Sequence, residues 1–138
     1  MRVAVVFFSG KRREKILEIC KALIRGIVAQ GHQADIVDGD HDVNTKLSIY
    51  QYIVVGTEAT STIGGKIPEK VGSFLSGAGQ VTGRRSFAFV LKSFISAPRA
   101  LARLMHVMEK EGMFLKNSSI LTSTVEAEEI GKRLHIAV

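Results

Sequence analysis

The chain of 138 residues has no tryptophan, two tyrosines, two prolines and one cysteine. A single cysteine excludes an internal disulfide framework and any multi-cysteine zinc or iron–sulfur site. The four histidines, His32, His41, His106 and His135, share no metal-ligand spacing. Apolar runs such as residues 3–8 and 53–55 fall far short of the roughly 20 residues a membrane-spanning helix needs. After Arg2 there is no apolar stretch ending in a cleavage signal, so no secretory leader is expected and the expected location is the cytoplasm. No Gly-x-Gly-x-x-Gly, Gly-x-Ser-x-Gly or Walker A run occurs, which removes the dinucleotide fingerprint, the hydrolase nucleophile elbow and the P-loop. Acidic residues are also in deficit: 13 Asp+Glu stand against 19 Lys+Arg, a net charge of +6. That surplus favours a polyanionic or phosphorylated partner. Basic residues are not interleaved with exposed aromatics, and no recognition-helix signature is present, so nucleic-acid binding is not expected.

With 46% hydrophobic and 23% charged residues, the composition is that of a globular chain able to bury a core, most simply as one domain over residues 1–138. Residues 3–8 (Val-Ala-Val-Val-Phe-Phe) are continuously apolar without alternation, which predicts a strand covered on both faces. Over residues 12–30 the period changes: Ile16, Ile19, Cys20, Leu23 and Ile27 recur at three- and four-residue spacing, predicting an amphipathic helix closed by Gly31. A short strand at 33–37 and a third strand at 50–56 follow, and the dozen or so residues between them limit any helix there to one or two turns. Pro68 opens a helix running toward Leu75. A fourth strand covers 86–91, and Pro98 opens a helix reaching Glu111. A fifth strand lies at 120–122 or includes 113–115, and a weakly periodic helix ends the chain at 126–136. Five strands alternating with four or five helices predict a parallel sheet covered on both faces. Ligands of such sheets bind at the carboxyl ends of the strands, where strand order reverses. The loops at residues 9–13, 57–66 and 92–97 are therefore the candidate site.

Three segments carry a resemblance over nearly the whole chain: Val5-Val6-Phe7-Phe8-Ser9-Gly10 running into a helix with Glu14-Lys15-Ile16, then Tyr50-Gln51-Tyr52-Ile53-Val54-Val55-Gly56-Thr57, then Ile63-Gly64-Gly65-Lys66-Ile67-Pro68. In this order they resemble short-chain flavodoxin-like domains. The resemblance implies a three-layer α/β/α sandwich on a five-stranded parallel sheet of order 2-1-3-4-5. It also implies a flavin mononucleotide (FMN) site and a role in redox electron transfer; no catalytic acid or base is assigned. The alternative is a non-catalytic flavodoxin-like module that has lost FMN and binds a protein or another phosphorylated ligand.

Under the resemblance, phosphate would sit on the turn Ser9, Gly10, Lys11, Arg12 and Arg13 at a helix N-terminus, where unpaired N–H groups and the helix dipole attract anions. Flavodoxins carry Ser/Thr hydroxyls here. In this chain only Ser9 and Gly10 match, and three cations stand where the later hydroxyls would be. Either those cations replace the hydroxyls, or the loop is degenerate and its basic residues point into water. Thr57, Thr60, Ser61, Thr62, Gly64 and Gly65 would lie at the ring edge and ribityl chain, or form an ordinary polar turn region. Phe94 would stack on the ring, or fold under its loop as core. Cys20 falls on the apolar stripe and reads as buried. His41, between Asp40 and Asp42, reads as a solvated turn. Electron-shuttling flavodoxins are commonly acidic, so a redox partner of this basic chain would present an acidic docking surface.

Overall fold

The computed structural model describes residues 1–137. Its elements run β1 (Arg2–Phe7), α1 (Arg13–Ala29), β2 (Gln33–Asp38), β3 (Tyr52–Thr57), α2 (Lys70–Ser76), β4 (Arg85–Leu91), α3 (Ala97–Lys110), β5 (Phe114–Leu121) and α4 (Thr124–Arg133). All five strands are parallel and hydrogen-bond in the order β2-β1-β3-β4-β5. The fold class and strand order expected from the sequence are those observed.

Side-chain alternation along the strands makes two cores from one sheet. Val3, Val5, Phe7, Val54, Phe87 and Phe89 pack with Ile16, Ile19, Leu23 and Ile27 of α1 and Ala127 of α4. Ala4, Val6, Phe8, Ile53, Val55, Ala88 and Val90 pack on the other side with Val71, Phe74 and Leu75 of α2 and Ala100, Leu104 and Met108 of α3. Cys20 is buried in the first of these layers, and burial pushes its thiol pKa up.

Two points left open by the sequence are decided by the fold. No helix forms between β2 and β3: residues 39–50 are turns and irregular backbone. The aspartates at the end of β2 hydrogen-bond the local backbone instead, with the Asp40 amide donating to Asp38 Oδ1 at 3.0 Å and the Asp38 amide to Asp42 Oδ2 at 3.4 Å, a competition that short polar side chains win over helix formation. The two candidate segments for the fifth strand are one strand, Phe114–Leu121. Its polar middle is exposed at Lys116, Asn117 and Ser118 and half-buried at Ser119, on the edge strand of the sheet. A bulge leaves Lys116 unpaired between Leu115 opposite Ser86 and Asn117 opposite Phe87, a device that blunts an edge strand. Among the described residues no helix is long and apolar enough to cross a membrane.

Candidate functional site

Strand β1 pairs with β2 on one side and β3 on the other, so the chain connections leave the sheet in opposite directions at the carboxyl ends of β1 and β3. A crevice opens there. Its volume is about 510 Å³, and it is lined by Gly10, Lys11 and Arg12 from the β1–α1 turn, Glu58 to Thr62 from the β3–α2 loop, and Ser93, Phe94 and Ser96 from the β4–α3 loop. Three loops separated widely in sequence thus form one cleft, and seven of the expected residues line it: Gly10, Lys11, Arg12, Thr60, Ser61, Thr62 and Phe94. Phe94 is 96% exposed at the mouth, free of the core.

The other expected residues have different surroundings. Thr57 is buried, its hydroxyl donating to the Phe8 carbonyl at 3.1 Å, so it ties β3 to β1. Gly64 and Gly65 are not among the residues that line the cleft. Gly65 has φ +67°, and a Cβ there would come within 2.5 Å of the Ala100 amide nitrogen and of Arg99 Cβ. The Gly-Gly pair therefore lets the β3–α2 loop close against the first turn of α3. The loop is pinned by the Thr60 amide donating to the Lys66 carbonyl at 2.7 Å and the Lys66 amide donating to Ser61 Oγ at 3.0 Å.

Ser9 and Arg13 face a cluster at the end of β2. The Ser9 amide donates to both Asp40 oxygens at 3.2 and 3.1 Å, and the Ser9 hydroxyl also donates to Asp40. Arg13 pairs with Asp38 and, at 2.8 Å, with Asp40. Lys70 from α2 pairs with Asp40 and donates to the Ser9 carbonyl at 3.0 Å. Burial raises the pKa of Asp38, but hydrogen bonds from Arg13, His41 and the Asp40 amide outweigh it and hold the carboxyl at about 2. Burial likewise raises Asp40, outweighed by Lys70 and Ser9, so its pKa is lowered. His41 Nδ1 donates to Asp38 Oδ2 at 2.8 Å and the residue is otherwise exposed, as its reading as a turn residue requires.

On the cleft side the dominant group is Glu58, only 2% exposed. Both of its carboxylate oxygens accept from the Arg12 amide, at 3.2 and 3.1 Å, and Arg12 Nε lies 3.8 Å from Oε1. Arg12 is the N-cap of α1 and its side chain makes no cap bond, so Glu58, from the loop after the neighbouring strand β3, places a carboxylate on the amide that precedes the first turn of the helix. Arg12 also donates to the Lys92 carbonyl at 2.9 Å. Sequence reasoning gave no part to Glu58, Asp40 or Lys70. A lone glutamate in a polar loop signals exposure, and nothing local to residue 58 announces a helix N-terminus 46 positions away.

These contacts test the fit of FMN. The hydroxyl-bearing wall and Phe94 suit a ring and a polyol chain. At the phosphate end the residues present suit an anion less well, because two main-chain donors of the β1–α1 turn, at Ser9 and Arg12, already hold carboxylates.

An open parallel sheet of order 2-1-3-4-5 with helices on both faces and a cleft at the switch point places the chain among the doubly wound α/β proteins. Within that class it has the short-chain flavodoxin-like fold. Oxidised flavodoxin 1 from Bacillus cereus superposes with a TM-score of 0.75 at 15% identity, over 97% of this chain and 99% of that one. Two-electron reduced flavodoxin from Megasphaera elsdenii gives 0.68 at 18% identity over 94% and 96%. A flavodoxin from the domain Archaea gives 0.66 at 16% over 99% and 94%. At these identities the likeness is one of fold. No family model and no curated protein sequence matches the chain.

Proposed function

We propose that this flavodoxin-fold chain acts by docking an acidic protein at the mouth of its cleft. The observation that carries the reading is the makeup of that mouth. Phe94 and Ile63 stand 96% and 71% exposed. Lys11 and Lys92 in the cleft loops and Arg99 in the first turn of α3 form no ion pair among the described residues. An aromatic anchor surrounded by unneutralised cations suits a partner with an apolar pocket in an acidic surface. The net charge of +6 has the sign needed to steer such a partner from a distance.

Two forms of this reading differ in what fills the cleft. In one, FMN occupies it, supplies the electron chemistry, and the docked protein is a redox partner. The flavodoxin-like fold and the exposed Phe94 favour that form. In the other, the domain is a non-catalytic module without FMN. The carboxylates of Glu58 and Asp40 on the turn amides favour the module, and it is the form we adopt.

Absorption of the purified protein and quenching of FMN fluorescence on titration separate the two. A colourless protein that leaves FMN fluorescence unchanged is expected; yellow protein with flavin bands would restore the electron carrier. Docking is tested by isolating a partner on the wild-type chain and measuring its affinity calorimetrically for wild type and for a Lys11→Glu/Lys92→Glu/Phe94→Ala variant. The variant should bind at least about tenfold more weakly, and added salt should weaken wild-type binding. Equal affinities would remove the cleft mouth from the interface.

A further inference from the structure

We propose that Glu58 is a built-in anion that holds the place of a phosphate and makes the cleft select against phosphorylated ligands. The inference rests on the module form of the reading above and names the residue that enforces it.

The β1–α1 turn has the backbone of an anion site. It leaves the sheet at the switch point and runs directly into the 17-residue helix α1, whose dipole is positive at this end. The group it faces comes from its own chain. Both Glu58 oxygens accept from the Arg12 amide, and the carboxylate lies so close to Gly10 that a Cβ there would come within 3.1 Å of Oε1. It is almost fully buried although it lines the cleft, so the carboxylate sits against the turn rather than out in solvent. Behind the turn, Asp40 repeats the arrangement on the Ser9 amide.

The cations follow the same logic. Positive side chains at a helix N-terminus oppose its dipole, which is unfavourable unless negative charge is supplied. Arg13 is turned onto Asp38 and Asp40, and Arg12 lies by Glu58. The charge that a phosphate would bring is therefore already present. A phosphate monoester entering the turn would be set against a like charge at contact distance in a poorly solvated niche, a strongly repulsive arrangement. The remainder of the cleft, with Thr60, Ser61, Thr62 and Phe94, carries no carboxylate. It discriminates at one end only, against phosphate and not against rings or hydroxyls.

Riboflavin and FMN share ring and polyol and differ by the phosphate, which makes them the probe pair. Each is titrated by fluorescence quenching into wild type, Glu58→Gln and Glu58→Ser, with near-ultraviolet circular dichroism confirming native packing. Glu58→Gln keeps the size and the acceptor while removing the charge; Glu58→Ser vacates the niche. FMN affinity should rise at least about tenfold in both variants, while riboflavin affinity changes by less than about twofold. The amide resonance of Arg12 should shift on substitution and again on adding FMN. The inference is overturned if FMN binds the variants no better than wild type, whether measurably or not at all, or if riboflavin gains as much as FMN. A colourless wild type with flat variants would leave the module reading standing and remove only the role given to Glu58; FMN-loaded wild type would overturn both.

Discussion

At the scale of single residues, two buried side-chain polar atoms among the described residues have no hydrogen-bond partner, the Tyr52 hydroxyl and Arg84 Nε. The Tyr52 hydroxyl is buried and makes no hydrogen bond, and burial pushes its pKa up to about 12. An unsatisfied buried hydroxyl costs about 1–3 kcal/mol of desolvation, so Tyr52→Phe should be neutral or raise stability by about 1 kcal/mol, read as a higher urea midpoint with unchanged slope. A destabilised variant would mean that the hydroxyl has a partner in solution. Asp38 is the opposite case. Its carboxyl is held at about 2 by Arg13 and His41 against the effect of burial, so the folded state binds its proton less readily than the unfolded chain does. Its contribution is complete above about pH 4, the ordinary aspartate range, and is lost as pH falls toward 2. Urea midpoints measured across that window should fall less steeply in Asp38→Asn than in wild type. Equal slopes would show that the Asp38 pairing carries no stability in solution.

At the scale of elements, the contact between α1 and α4 depends on two glycines. A Cβ on Gly26 would run into the Glu128 carbonyl, and one on Gly131 into the Leu23 carbonyl. These are backbone atoms and cannot turn aside. Gly131→Ala should therefore cost about 1–3 kcal/mol by forcing the helices apart, although alanine is the better helix former. Gly72 in α2 provides the contrast, since a Cβ there would lie 4.0 Å from its nearest neighbour, Val107 Cγ1. Gly72→Ala should stabilise by about 0.5–1 kcal/mol. Thermal melts of the two single variants should move in opposite directions, and matching shifts would contradict the crossing geometry. The α1 pattern was readable as an amphipathic helix from residue spacing alone. That Gly26 sits at a helix crossing was not, because its counterpart lies in α4, whose periodicity is weak and whose packing partner no local pattern names.

At the scale of the whole molecule, charge and edges govern how the chain meets others. The sheet ends on β5, where exposed Lys116, Asn117 and Ser118 and the bulge at Lys116 deny a neighbouring strand a flat apolar template. Replacing Lys116 and Ser118 by isoleucine should produce concentration-dependent association on size-exclusion chromatography. A variant that elutes unchanged at all concentrations would show that the edge is protected by geometry alone. The cleft at the carboxyl end of the sheet has the opposite character, with exposed Phe94 lining it beside Lys11 and Arg12, and exposed Ile63 next to the lining residue Thr62 in the same loop.

Architecture was legible in the sequence because it depends on short-range periodicity. Unbroken apolar strands, helical stripes and glycine or proline punctuation repeat within a few residues, and each reports its own environment. The three loops of the cleft followed from the topology, and seven of their expected residues do converge there. What fills the helix end inside that cleft was decided only by tertiary structure. Arg13 meets Asp38 and Asp40 across 25 and 27 positions, and the Arg12 amide meets Glu58 across 46. The sequence places three cations at a helix start and cannot say which carboxylates the fold will bring to them. Electrostatic pairing depends on distance in space, and for these residues that distance exists only once the sheet has formed.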